Sequence, residues 1–139
     1  SVDYVVEMDT TEWDVLPEDQ KWFEMSDWCF MDKDKIAYGF TIPIDTTLDK
    51  AGVKTVFREF AGYLSTDPQF MNGGYTTING NEFYMEEAIG YMDNGVDAYL
   101  FGNAYSGSEG TVLFFLWSDA SFKDQLRGRM KKLLEGMRI

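Results

Sequence analysis

Val112-Leu113-Phe114-Phe115-Leu116-Trp117 decides the fold. Successive side chains of a strand point to opposite faces, so this run is apolar on both. A strand with two apolar faces belongs at the centre of a sheet that is covered on both sides. Upstream, two further strand-like runs, 82–92 and 96–105, are set off by Asn79-Gly80 and Asn94-Gly95. Asn-Gly between alternating apolar residues is a strong hairpin signal. Residues 78–118 therefore read as an antiparallel meander ending in a central strand.

Outward from that core, Ile36 to Ile44 reads as another strand, preceded by Trp28-Cys29-Phe30-Met31 and a polar Asp32-Lys33-Asp34-Lys35 turn. Pro43 has no ladder donor and suits a strand end or an edge. Ala37, Gly39, Thr41 and Pro43 form a small-residue face that predicts close packing against something large. Tyr4 to Met8 predicts a short first strand, and residues 13–23, interrupted by Pro17, predict irregular structure with a turn of helix.

Two amphipathic helices are predicted. Val53, Val56, Phe57, Phe60, Ala61 and Leu64 recur at helical spacing within 47–65, with Thr46 and Asp49 at capping-box spacing. Lys54, Arg58 and Glu59 fall off that stripe, toward solvent. Phe122, Leu126, Met130, Leu133, Leu134 and Met137 form a second stripe within 119–137, opened by Ser118 or Ser121 and containing Gly128, a position suited to close approach to the sheet. The fold class is α+β: an antiparallel sheet of about six strands sandwiched between helices, in a single domain over 1–139.

Composition excludes several functions. The chain has 139 residues and a net charge of −12. From Phe122 onward, six basic residues face two acidic ones. The first 121 residues carry 6 basic and 22 acidic residues, a net of −16. Such a body repels phosphate backbones and anionic lipid, so nucleic acid is not an expected partner. The basic final helix is expected to offset the acidic body. Histidine is absent and Cys29 is the one cysteine, which excludes His-based triads and an intrachain disulfide and leaves no set for a structural zinc. No run approaches the roughly 20 apolar residues of a membrane helix. Ser1-Val2-Asp3 enters strand-like sequence directly, as expected of a chain whose export segment has been removed.

Three constellations bear on chemistry. Asp32-Lys33-Asp34 and Asp93-Asn94-Gly95-Val96-Asp97 are oxygen-rich, but neither places oxygen and glycine where an EF-hand loop needs them, and turn chemistry accounts for both. Glu82, Glu86 and Glu87 lie beside Tyr84. Glu82 and Glu86 share a strand face at about 13 Å, too far for a glycosidase pair, which reads as a solvated face. Tyr84, Tyr99, Phe101 and Tyr105, with Trp13, Trp22 and Trp28 from the N-terminal segment, either line a groove for a sugar, cation or peptide or pack under the helices. The ligand-binding candidates are Tyr84, Glu86, Tyr99, Tyr105, Trp22 and Trp28. No catalytic or metal-ligating residue and no cofactor motif is identified; the Ser106–Gly110 loop lacks the Lys and helix start of a phosphate loop.

Gly39-Phe40-Thr41-Ile42-Pro43 leading into a helix, Ile78-Asn79-Gly80-Asn81 followed by Phe83-Tyr84, the Gly110–Leu116 strand, and a closing helix ending Leu133-Leu134-Glu135-Gly136-Met137 together resemble the PsbP-like fold family over residues 28–139. That family includes an extrinsic photosystem subunit, bacterial lipoproteins and a Ran-binding nuclear import factor. The resemblance implies a sheet between helical layers and a non-enzymatic role in binding or assembly. The expected function is a non-catalytic extracytoplasmic or cell-surface domain, such as the soluble part of a bacterial lipoprotein, with a protein or small molecule as ligand. The alternatives are a small carboxylate- and tyrosine-based enzyme, or an intracellular interaction module using Arg127, Lys131 and Arg138.

Overall fold

The computed structural model describes residues 1–139. Residues 112–116 are completely buried, and the strand that carries them, β8 (Gly110–Asp119), is the fourth of seven in the main sheet. The others are β2 (Trp13–Val15), β3 (Trp28–Asp32), β4 (Ala37–Ile44), β5 (Thr66–Ile78), β6 (Asn81–Tyr91) and β7 (Asp97–Gly107). Their order is β2-β3-β4-β8-β7-β6-β5, antiparallel throughout. Between β4 and β5 the chain crosses from the middle of the sheet to its far edge through α1 (Lys50–Leu64). After β8 comes α2 (Lys123–Leu134). The short β9 (Met137–Arg138) pairs with β1 (Val5–Val6) as a separate two-stranded ribbon.

The period of two sorts the core into two layers. Phe83, Met85, Tyr99, Phe101, Val112, Phe114 and Leu116 pack against Leu126, Met130, Leu133 and Leu134 of α2. Tyr84, Ala88, Leu100, Ala104, Leu113 and Phe115 pack against Val53, Phe57 and Ala61 of α1. Each large side chain buried in either layer contributes about 1.5–3 kcal/mol. The small face of β4 is close-packed as expected: a Cβ on Gly39 would meet Leu116 Cδ2 at 2.2 Å and the Phe115 carbonyl at 2.8 Å. Pro43 lies beyond the last β3 pairing, where no donor is needed on that side.

Several local expectations are corrected. The sheet gains a seventh strand because Trp13–Val15, predicted irregular, pairs with β3. The first strand shrinks to Val5–Val6. Helix α1 starts at Lys50, because Asp49 rather than Thr46 caps it by accepting from Gly52 N at 2.7 Å. Before α2, Asp119 accepts from Ser121 N and caps a 3-10 turn over Ala120–Phe122, so neither Ser118 nor Ser121 caps the helix. Gly128 is exposed, with open space where a Cβ would stand, so it serves no close approach. Gly136 does that job instead: its Cβ would lie 2.1 Å from the Glu7 carbonyl. The chain after α2 therefore runs alongside Glu7, whose N–H donates to the Gly136 carbonyl at 2.9 Å, and Met137 leaves the helical stripe for β9.

Candidate functional site

Adjacent residues of a strand face opposite ways, so Glu86 and Glu87 of β6 enter opposite layers of the sandwich. Both are buried, at 3% and 1% exposure. On the α1 side, Arg58 donates to Glu86 through Nε (2.9 Å) and Nη2 (2.7 Å), and its guanidinium lies over the Phe70 ring at 4.5 Å. On the α2 side, Arg127 donates to Glu87 through Nε (2.7 Å) and Nη2 (3.0 Å). Glu87 also accepts from Tyr99 Oη at 2.5 Å and Asn72 Nδ2 at 2.7 Å. Each helix is thus tied to the sheet by one bidentate arginine–carboxylate pair, the strong geometry for this contact.

One irregularity in β5 serves both pairs. The β5–β6 register shifts between Met71 and Gly74. Asn72, at φ 57°, turns its amide to Glu87. Gly73 leaves room for Glu86: a Cβ there would stand 2.2 Å from Glu86 Oε2 and 2.9 Å from Tyr84 Oη.

The electrostatics follow from these contacts. Burial pushes the Glu87 carboxyl up, but hydrogen bonds from Arg127, Tyr99 and Asn72 and the Arg127 charge outweigh it and hold the group at about 2. Burial, and then the hydrogen bond to Glu86, pushes Tyr84 up to about 12. Tyr99 is driven upward by burial and by Glu87. A carboxylate so strongly acidic and already saturated with donors is a poor general base, and the tyrosines are poor acids near neutrality.

These observations correct two expectations. Glu86 is not on a solvated face, and Arg58 does not extend free into solvent. Glu82 is exposed, 3.2 Å from Lys50 Nζ. Of the three basic residues considered as a contact face, Arg127 is engaged by Glu87, and Arg138 lies on β9, not α2, with its Nε 2.6 Å from Glu7. The oxygen-rich turns bond their own backbone, and Asp32 also reaches α2. Asp32 accepts from Ile36 N and Ala37 N and meets Arg129 Nη1 at 3.0 Å, and Asn94 accepts from Val96 N.

The candidate aromatics do not converge. Tyr84 packs with Phe57 and Tyr75 in the α1 layer, whereas Tyr99 and Tyr105 lie on the α2 side, Tyr105 against Phe83. Trp22 stands edge-on to Tyr38 and Trp117, holding the irregular segment after β2 to the sheet. Trp28 is 48% exposed and lines an open apolar slot of about 220 Å³ with Tyr4, Val5, Val6, Met8, Val15 and Phe30. The slot went unread in the sequence because its walls come from three separate strands; the one local signal was the alternation Trp28-x-Phe30 in β3.

No family model matches the chain, and no curated protein is similar enough to match. Solved structures do match. The solution structure of cyanobacterial PsbP (CyanoP) from Synechocystis sp. PCC 6803 superposes with a TM-score of 0.68 at 11% identity, over 98% of this chain and 92% of that one. LpqN of Mycobacterium tuberculosis, described as involved in cell envelope biogenesis, gives 0.65 at 12% identity, over 96% and 81%. A Pseudomonas aeruginosa protein of unknown function, PA94, described as a putative regulator, gives 0.57 at 10% identity, over 97% and 83%. Identities this low speak to the backbone alone, and over almost its whole length the backbone of this chain has the PsbP-like fold.

Proposed function

We propose that the protein is a non-catalytic binding or assembly domain working outside the cytoplasm, of the kind carried as the soluble part of a bacterial lipoprotein. The observation that carries the reading is where the apolar surface lies. Of eleven exposed large hydrophobic residues, six (Val5, Val15, Trp22, Phe23, Met25 and Trp28) fall within the first 28 positions. Exposed apolar side chains concentrated in one chain segment of a domain with a complete core, three of them (Val5, Val15 and Trp28) lining a single open slot, favour a contact surface on that segment. The clasped state of Glu86 and Glu87 supports the non-catalytic part, since the enzyme alternative loses its buried carboxylates to arginine. The extracytoplasmic part draws support from the fold likeness to LpqN, a protein of cell envelope biogenesis.

A photo-crosslinking residue placed at Met25 in cells is expected to give discrete adducts, while the same residue at Tyr63, 82% exposed on α1, gives none. Indistinguishable patterns at the two positions would remove the binding surface from this region. Protease added to spheroplasts expressing the full-length gene should digest the protein and spare a cytoplasmic marker. Survival alongside the marker would sink the location.

A further inference from the structure

The slot at Trp28 has the build of a recognition pocket. All seven lining residues are apolar. Its floor is rigid: Phe30 is 2% exposed and stacks on Phe114 with ring centroids 5.4 Å apart. Tyr4 is fixed by donating to Asp27 Oδ2 and contacting Thr41 Oγ1, each at 2.7 Å. β1 is held in place by pairing with β9. The rim is open, with Val5, Val15 and Trp28 at 58%, 38% and 48% exposure. At about 220 Å³ it is smaller than the roughly 300–1,000 Å³ of cofactor-sized sites, so it suits one inserted side chain. It runs beside β2, the edge strand of the seven-stranded sheet, whose outer side has no neighbour in that sheet.

Charge selects the occupant. Asp3 beside Tyr4 and Asp27 beside Trp28 carry no cationic partner, Asp27 accepting from Tyr4 Oη, whereas Glu7 is held by Arg138, and Asp14, on the opposite face of β2 from Val15, is held by Lys33. Of the nine acidic side chains in residues 1–27, five (Glu7, Asp9, Glu12, Asp14 and Glu18) are ion-paired, and the chain's net charge of −12 keeps the surrounding field acidic. An apolar slot in an acidic field attracts a cationic segment and repels an acidic one, and repels an anionic membrane likewise. A second copy of this chain would bring the same acidic field to its own slot, a like-charge juxtaposition that disfavours self-association there.

We propose that this slot docks an extended basic segment of a partner protein, which inserts one aliphatic or aromatic side chain between Val5, Val15 and Trp28 while its Lys and Arg residues face Asp3 and Asp27. The proposal rests on the binding reading above and adds the chemistry of the partner.

The test uses synthetic ten-residue peptides with a central Leu or Phe flanked by Lys and Arg, a matched set flanked by Glu, and a basic peptide with central Gly. Amide and indole NMR shifts are followed on the whole chain. The basic Leu or Phe peptides should shift Val5, Val15 and the Trp28 indole. They should bind at least tenfold tighter than the Glu-flanked or Gly-centred peptides, and weaken as salt is raised. Trp28→Ala and Val15→Asp, both at exposed positions, should each cut affinity at least tenfold with the remaining spectrum intact. Tyr63→Ala should change nothing. Equal binding of acidic and basic peptides, shifts that map elsewhere, or a dimer in sedimentation that Val15→Asp abolishes would overturn it, the last by making a second copy the occupant. If the peptides fail but the Met25 adducts persist in Trp28→Ala, the binding reading stands and this slot is not its site.

Discussion

Removing Arg127 and neutralising Glu87 probe two sides of one ion pair. Arg127→Ala leaves a carboxylate that is 1% exposed with only Tyr99 and Asn72 as donors. Breaking a fully buried pair from one side typically costs about 3–5 kcal/mol, and the half-exposed Arg127 lowers that here to about 2–3 kcal/mol. Glu87→Gln keeps the shape and an acceptor, and should cost about 1–2 kcal/mol. Urea midpoints at constant slope would rank the two, and the order should be Arg127→Ala the less stable. The pH dependence has a definite sign. Folded Glu87 is held at about 2, below the roughly 4.3 of an unfolded glutamate. Its contribution is complete above about pH 5 and is lost as pH falls toward 2, because the unfolded chain takes up the proton first. Glu87→Gln should therefore flatten that acid limb. Gly73→Ala should also destabilise, by about 1–3 kcal/mol, since its Cβ would enter the Glu86 carboxylate. None of these pairs was legible in the sequence: Arg58 and Glu86 are 28 residues apart, Arg127 and Glu87 are 40 apart, and a helical wheel puts Arg58 on the wet side of its stripe.

At the scale of elements, the hairpin at Asn79-Gly80 does more than reverse the chain. Asn79 adopts φ 49°, and its side-chain amide donates to the carbonyls of Glu135 (3.2 Å) and Met137 (2.9 Å). Asn103 Nδ2 donates to the Leu134 carbonyl at 3.0 Å. Two asparagines of the sheet therefore satisfy the end of α2 and steer the chain into β9. Asn79→Gly keeps the positive φ but removes both hydrogen bonds. Amide exchange in β1 and β9 is expected to speed up about tenfold, the equivalent of roughly 1.4 kcal/mol, while β8 is unaffected. Unchanged exchange in β9 would show that the β1 pairing alone holds it. The Asn-Gly pair announced its turn in the sequence because turn chemistry is local. Its second task stayed hidden because it depends on where residue 135 comes to lie. The same division explains the helix ends: both stripes were readable from period, but α2 stops at Leu134, where the chain turns at Gly136 to pair with Glu7 and β1.

For the whole molecule, the two-layer arrangement follows from one doubly apolar strand and two amphipathic helices, all visible as periodicity. The seventh strand was not, since Trp13–Val15 is only three residues long and pairs through register with β3. A net charge of −12 leaves the folded state self-repelling. Its ion pairs exposed on both sides, such as Lys50–Glu82 and Arg138–Glu7, individually contribute only about 0–1 kcal/mol. Raising salt from low to moderate ionic strength should therefore raise the melting temperature, by about 3–6 °C if screening is worth roughly 1 kcal/mol. A fall on adding salt would mean that the ion pairs outweigh the repulsion.

The paired glutamates of β6 also bear on how the chain finds its alignment. Strands slide most easily by two residues, because that keeps inward side chains inward. Such a slip of β6 would carry Glu86 and Glu87 about 7 Å away from their arginines at once, one on each side of the sheet. Two desolvated charges would be stranded together, an error far more costly than the mismatch of a few aliphatic contacts. Misaligned assemblies of this sheet are thereby proofread from both faces, by residues that take no part in its hydrophobic core.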